Sequence, residues 1–192
     1  MTSPTLPLPT TAFNVDSLAV GVYASRKEMG QAAAGYVAEH LRQLQLSQDE
    51  VRIVVGSAPS QDEFFASLTA PPFADLVDWQ SVVVFHMDEY VGLEADDARN
   101  FRAYQREHFL SKVNVKAFHS IRGEVRDVEA ECLRLTNLLK EKPIDLVCLG
   151  IGENGHLAFN DPPADFDDSA WVKVVELDTT CRQQQVNDGC FP

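Results

Sequence analysis

Short β-branched runs alternating with segments of helical period predict an α/β fold: a three-layer α/β/α sandwich around a mostly parallel sheet. Two further observations support it. The runs Val51–Val55 (VRIVV) and Trp79–Phe85 (WQSVVVF) are apolar almost without interruption, as strands become when helices cover both faces. The 192 residues, 45% hydrophobic and 23% charged, suit one buried core and are short for two.

Residues 1–16 read as an extended N-terminal arm, and residues 17–192 as a single domain. Leu18–Tyr23 (LAVGVY) is the first expected strand. Ser25-Arg26-Lys27-Glu28 fits a capping box, with Ser25 as N-cap and Glu28 reaching back. Met29, Ala32, Ala33, Tyr36, Val37, Leu41 and Leu44 follow at helical spacing, so an amphipathic helix is expected from Ser25 to about Gln45. The strand Val51–Val55 ends at Gly56, and the small-residue turn Gly56-Ser57-Ala58-Pro59-Ser60 leads into a helix marked by Phe64, Phe65 and Leu68. Trp79–Phe85 is the next strand and runs straight into His86-Met87-Asp88-Glu89-Tyr90. A helix over about 100–110, a strand over 116–120, a helix over 127–140 and the strand Ile144–Leu149 continue the alternation, and Val172–Glu176 adds a further strand. The order is Rossmann-like, with no internal repeat.

Sixteen basic against 29 acidic residues give a formal charge of −13, the wrong sign for a non-specific nucleic-acid binder or an anionic-membrane binder. Cys132, Cys148, Cys181 and Cys190 lack C-x-x-C spacing and read as reduced, structural thiols. The N-terminus carries neither the basic nor the continuous apolar region of a signal peptide, and no apolar run approaches bilayer length. A soluble, cytoplasmic protein is expected.

Gly150 to Gly155 has the spacing G-x-G-x-x-G directly after an apolar run, which raises a dinucleotide site. That site needs the last glycine to open a helix whose N-terminus carries the pyrophosphate. Pro162-Pro163 leaves room for one turn at most, so the nucleotide reading is set aside. What remains is a glycine-rich loop carrying His156 and Asp161 at the carboxyl end of a strand, where open α/β sheets place their sites. Asp88 and Glu89 occupy an equivalent loop, and Gly56–Ser60 a third, so three loops are expected to converge. Each also has a plain reading: solvated carboxylates, a histidine capping a turn, a connection without a ligand.

Met87-Asp88-Glu89-Tyr90-Val91-Gly92-Leu93, Gly150 to Pro162 and, more weakly, Gly56-Ser57-Ala58-Pro59 together resemble the glucosamine-6-phosphate deaminase (isomerase) family, which shares its fold with the 6-phosphogluconolactonases. The likeness runs from about residue 20 to 190, and Ala158-Phe159-Asn160-Asp161-Pro162 favours the deaminase branch over the lactonases. The resemblance implies conversion of glucosamine 6-phosphate, or a related hexosamine phosphate, to fructose 6-phosphate and ammonia, with no metal or organic cofactor. It makes residues 17–192 a sugar-phosphate isomerase-like domain. It assigns Asp88 the proton transfer between C2 and C1, His156 the ring opening, and Asp161 and Asn154 the histidine's relay. Gly56, Ser57, Glu89, Gly155 and Arg182 become substrate contacts. The implied partner is a phosphorylated amino sugar, with no nucleic acid and no membrane, and a homo-oligomer is compatible with the sequence.

The chain departs from the family pattern in three places. Asn154 stands where the family has an aspartate, and Asp161 where it has a glutamate. An amide can still fix the histidine tautomer, but it brings no charge to an imidazolium, so Asp161 or Glu153 must compensate. The arginine expected near Asn187 to clamp phosphate is missing, with Arg182 as a substitute. The family also continues past the position of Pro192, so a sheet truncated at its C-terminal end is expected, with an edge or apolar face needing another partner. A non-catalytic sugar-phosphate-binding or regulatory homologue and a 6-phosphogluconolactonase are the alternatives.

Overall fold

The computed structural model describes residues 5–189 and 191. Its centre is a four-stranded, wholly parallel sheet of order β5-β4-β3-β6, built from β3 (Val51–Val55), β4 (Val82–His86), β5 (Ala117–His119) and β6 (Leu146–Cys148). The helices are α1 (Arg26–Leu44), α2 (Asp62–Leu68), α3 (Phe101–Gln105), α4 (Val128–Glu141) and α5 (Thr179–Asn187).

Strand alternation sorts the two faces. Val51, Ile53, Val55, Val82 and Val84 point to one side, where they join Ala34, Ala38 and Leu41 of α1, Phe64, Phe65 and Leu68 of α2, and Phe109. On the other side lie Arg52 and Phe85, covered by α4. The buried Arg52 guanidinium donates to the α4 carbonyl of Leu138 (2.6 Å) and to that of Lys142, and it stacks 4.7 Å over the Phe85 ring. A cation on the last carbonyls of a helix satisfies orphan acceptors and complements the dipole.

α1 begins as expected: the Ser25 hydroxyl accepts from Glu28 N–H at 3.2 Å. Its buried face overlaps the expected one, with Ala32 and Leu41 buried and Ala33, Val37 and Leu44 packed against the core, but it is turned toward smaller residues. Gly30, Ala32, Ala34, Gly35, Ala38 and Leu41 are buried, whereas Met29 and Tyr36 are exposed. The reason is close approach of α2: a Cβ on Gly30 would come within 2.6 Å of the Glu63 carbonyl carbon. Small residues, not the largest apolar ones, set this helix contact.

Other differences have similar local causes. β2 (Leu18–Val22) does not enter the parallel sheet; it pairs antiparallel with β1 (Thr11–Val15), inside the stretch read as an extended arm. Trp79–Ser81 forms a 3-10 turn started by Asp78, whose carboxylate accepts from Gln80 N–H, so β4 begins only at Val82. The segment after α3 continues as a π-helical turn, Arg106–Leu110. Val172–Glu176 forms no strand among the described residues; Val174 and Val175 are exposed and have no ladder partner. α5 lies outside the sequence expectations: only Cys181 is buried on it, so it has no apolar stripe to find. Cys132, Cys148 and Cys181 are free thiols, and Cys190 lies outside the described residues. No helix among the described residues is long and apolar enough to cross a membrane.

Candidate active site

The chain lays β3, β4 and β5 outward in succession, then returns to place β6 on the other flank of β3. This makes a topological switch point between β3 and β6, and a ligand crevice is expected outside the carboxyl ends there. The loops after β3, β4 and β6 are therefore neighbours. Gly56 N–H bonds Cys148 O at 3.0 Å, and Met87 N–H bonds Val55 O at 3.2 Å. A cavity of about 110 Å³ opens at this point, lined by Gly56 to Gln61, Met87, Asp88, Gly150 to Gly152, His156, Ala158 and Phe159, with Gln184, Gln185 and Asp188 of the α5 region closing it. The three loops converge as expected.

Asp88 follows the last residue of β4 by two positions. Its Oδ1 is sealed from solvent and has no hydrogen-bond partner. Burial, with the neighbouring Glu89 charge adding to it, pushes the carboxyl up to about 7. A carboxyl held there can gain and lose a proton near neutrality, which suits a general base.

His156 is fixed by a small polar network. Its Nδ1 lies 2.8 Å from Asn154 Oδ1 and 3.3 Å from Asp161 Oδ1. The Asn154 amide nitrogen donates to Asp161 Oδ1 (2.8 Å) and to Asp178 Oδ2 (2.7 Å), and Asp161 Oδ2 accepts from Asp178 N–H (2.8 Å). Of the two carboxylates that could offset the neutral Asn154, Asp161 lies beside the ring and Glu153 is exposed. The ring rests against Gly152, where a Cβ would collide with it. Ala158 and Phe159 then hold φ of 50° and 57°, unusual for residues with side chains and the kind of local strain that gathers at functional sites. The turn closes by a Leu157–Asn160 bridge, so no helix follows Gly155 and the dinucleotide reading has no support.

The Gly56–Ser57 loop is braced from beneath. Gln105, fully buried at the junction of α3 and the π turn, donates Nε2 to Gly56 O (2.6 Å) and to Ser57 Oγ (2.8 Å). Burial, with Arg102 nearby, holds His86 down to about 3, hence neutral, and its Nε2 lies 3.4 Å from Ser57 Oγ. With Nδ1 facing Ile121 N–H at 3.5 Å, Nε2 carries the proton and donates to Ser57. Both Ser57 lone pairs are then used, leaving its hydroxyl hydrogen as a donor at the cavity wall. Sequence reasoning missed Gln105 and His86; neither carries a local signal of this role.

Other expected contacts lie elsewhere. Glu89 does not line the cavity: its carboxylate accepts the backbone N–H groups of Tyr90, Phe101 and Arg102 at 2.9–3.0 Å and so caps α3. Gly155 supplies a positive-φ turn (87°) before His156 without reaching the cavity. Arg182 lines an adjoining, larger groove of about 630 Å³ beside α4, which shares Met87, Asp88, Ala158 and Phe159 with the cavity and takes in Glu89 as well. No Lys or Arg lines the 110 Å³ cavity among the described residues. α2 opens with Asp62 and Glu63, which oppose an anion at its N-terminus.

A metal is also a question for this donor set. His156, Asp161 and Cys181 place ligand atoms within 4.8 Å of one another. Yet Nδ1 and Asp161 Oδ1 are engaged with Asn154, and burial pushes the Cys181 thiol up to about 11. The group is built as a hydrogen-bonded relay and does not fit a metal centre as it stands.

The chain is 45% identical over 104 residues to glucosamine-6-phosphate deaminase of Listeria innocua, covering 54% of this chain and 44% of that protein. It is 35% identical over 137 residues to the enzyme of the same name from Streptococcus sanguinis, covering 71% and 57%. It thus spans about half the length of these curated relatives. A solved monomeric glucosamine-6-phosphate deaminase shares the fold with a TM-score of 0.75 at 24% identity, covering 85% of this chain and 66% of that one. A 6-phosphogluconolactonase from Shewanella baltica shares it with a TM-score of 0.59 at 21% identity, covering 70% and 57%. The model of the family described as glucosamine-6-phosphate isomerases/6-phosphogluconolactonase matches residues 24–186, a span containing all three converging loops, and the chain belongs to that family.

Proposed function

We propose that this chain carries the proton-transfer site of an amino-sugar-phosphate deaminase/isomerase, acting on glucosamine 6-phosphate or a related hexosamine 6-phosphate to give fructose 6-phosphate and ammonia. The observation that carries the reading is Asp88: a carboxyl with a solvent-sealed, unpartnered oxygen, pushed up to about 7, on the wall of the cavity that His156 also lines.

In this reading the sugar phosphate lies across the carboxyl ends of β3 and β6. His156, held by Asn154 and Asp161, exchanges the proton at the ring oxygen as the pyranose opens. Asp88 removes the C2 proton, made acidic by the adjacent aldehyde, and returns it to C1. The resulting C2 iminium adds water, and the carbinolamine so formed loses ammonia to leave the ketose. Positioned acid–base groups of this kind typically contribute about 10²–10⁴-fold each. The phosphate rests on the Gly56–Ser57 turn, held by the Ser57 hydroxyl and by backbone N–H groups after Gly56, whose own N–H is spent on Cys148 O. Those neutral donors carry the contact without a lining cation.

The experiment is parallel measurement of ammonia and ketose phosphate from hexosamine 6-phosphates, with 6-phosphogluconolactone hydrolysis as the competing activity. Equal amounts of ammonia and fructose 6-phosphate support the reading. Binding without turnover at any pH, or lactone hydrolysis alone, defeats it.

A further inference from the structure

We propose that Asp178 is a positioning residue for His156, acting through the Asn154 amide to keep the imidazole protonated at Nδ1 with Nε2 free at the cavity. The proposal rests on the reading of His156 as the group working at the ring oxygen, and it extends that reading to a residue outside the glycine-rich loop.

The argument is a count of donors and acceptors. An asparagine side chain has two N–H donors and one carbonyl acceptor. Both donors of Asn154 are taken by carboxylates: one by Asp161 Oδ1 at 2.8 Å, the other by Asp178 Oδ2 at 2.7 Å. Turning the amide over would aim its carbonyl at two carboxylates. Oδ1 must therefore face His156, where it meets the backbone N–H at 3.1 Å and Nδ1 at 2.8 Å. A carbonyl only accepts, so Nδ1 carries the hydrogen. Nε2 makes no hydrogen bond among the described residues and keeps its lone pair, as a group exchanging a proton with a ring oxygen requires.

Asp178 can do this because it has two acceptor oxygens and uses both. Oδ1 takes Cys181 N–H at 2.7 Å, which caps α5, and Oδ2 takes the Asn154 amide. These contacts, the Cys181 N–H first, hold its carboxyl below the usual aspartate range, so it stays ionised. Its own N–H goes to Asp161 Oδ2 at 2.8 Å, which ties the two carboxylates into one frame. The helix that walls the cavity with Gln184 and Gln185 is thereby linked to the tautomer of the histidine. The arrangement also accounts for Asn at position 154: an aspartate there would face two further carboxylates with no hydrogen to offer either.

The substitutions that test this are Asp178→Ser and Asp178→Asn. Serine and asparagine are as good as aspartate at an N-cap, so α5 keeps its start, but each has a single oxygen to share between Cys181 and Asn154. Long-range 1H–15N NMR of the full chain, above the histidine titration range, reads the ring directly, with His156 assigned from the signal lost in His156→Gln. The expected result is an Nδ1–H ring in the parent and a shift to Nε2–H, or to a mixture, in both variants, with circular dichroism unchanged. An Nδ1–H ring that persists in both folded variants, or an Nε2–H ring in the parent, overturns the proposal. Where hexosamine-phosphate turnover is found, kcat should fall about 10- to 100-fold, within the share acid–base catalysis supplies, with KM changed less than about twofold. The ring measurement is independent of turnover: a parent with an Nδ1–H ring that the variants shift, but no activity, defeats the proposed function and leaves this inference standing.

Discussion

Replacing Asp88 by asparagine should stabilise the protein at alkaline pH while abolishing turnover. The carboxyl titrates at 3.8 in its ordinary state and at about 7 when folded, chiefly because burial penalises the charge. Between those values the folded chain holds a proton that the unfolded chain has released. The slope of unfolding free energy with pH is therefore negative, and stability falls as pH rises from about 4 to about 7 and stays lower above it. At about 1.36 kcal/mol per pH unit the full cost is roughly 4 kcal/mol. Water reaching the cavity side of the carboxyl reduces the expected figure to about 2 kcal/mol. The amide introduced by Asp88→Asn carries no charge and escapes this cost. Urea unfolding of both proteins at about pH 5 and about pH 8 isolates it, because every other titrating group is shared to first order. Because pH 5 already lies above the ordinary value, only part of this cost falls between the two conditions, and the variant should gain about 1 kcal/mol on the parent across them. Parallel pH dependence in the two proteins would refute the claim that Asp88 is held out of its ordinary range. The same shift predicts that kcat/KM rises with pH and levels off above about 7, since the base must be ionised in the free enzyme.

Three other outcomes follow from the geometry. Gly152→Ala places a methyl group against the His156 ring, so turnover should drop by about 10²-fold, the scale of misplacing a catalytic group, while thermal stability changes little; unaltered kcat would contradict the packing described. Arg52→Met removes the donor to the Leu138 and Lys142 carbonyls and should cost about 2–4 kcal/mol in denaturant unfolding with the site chemistry intact. Glu89→Gln removes the charge that adds to the upward push on Asp88, so the acidic limb of the kcat/KM profile should move to lower pH, while the weakened cap on α3 costs about 1–2 kcal/mol.

The central fold is legible in the sequence because its strands are short apolar runs ending in glycine or polar loops; Val51–Val55 begins and ends where the pattern places it. Helix starts are equally legible where a side chain marks them, as Ser25, Asn100 and Asp127 do by accepting the N–H three residues on. Tertiary contact decides what a window of residues cannot. The face of α1 turns on how near α2 can come, and Val172–Glu176 has strand-like residues but no neighbouring strand to pair with. The site divides in the same way. Asp88, His156 and Asp161 are readable because their loops follow strands and carry clustered chemistry, and Asn154 through the family resemblance. Gln105, His86 and Asp178 act through partners 48, 29 and 24 positions away, and nothing in their own neighbourhoods announces it. Glu89 is conspicuous in the sequence for its charge, and its oxygens accept three backbone amides that no local pattern marks.

In the proposed reaction Asp88 is the group that breaks the C2–H bond. Glucosamine 6-phosphate deuterated at C2, followed by NMR for loss of the label from C2, reads that step whether the deuteron is carried to C1 or washes into solvent. The parent protein should break the bond in step with ammonia release, and Asp88→Asn should slow its breaking by about 10²-fold or more. Label loss from C2 at the parent rate in a folded Asp88→Asn variant would contradict the account.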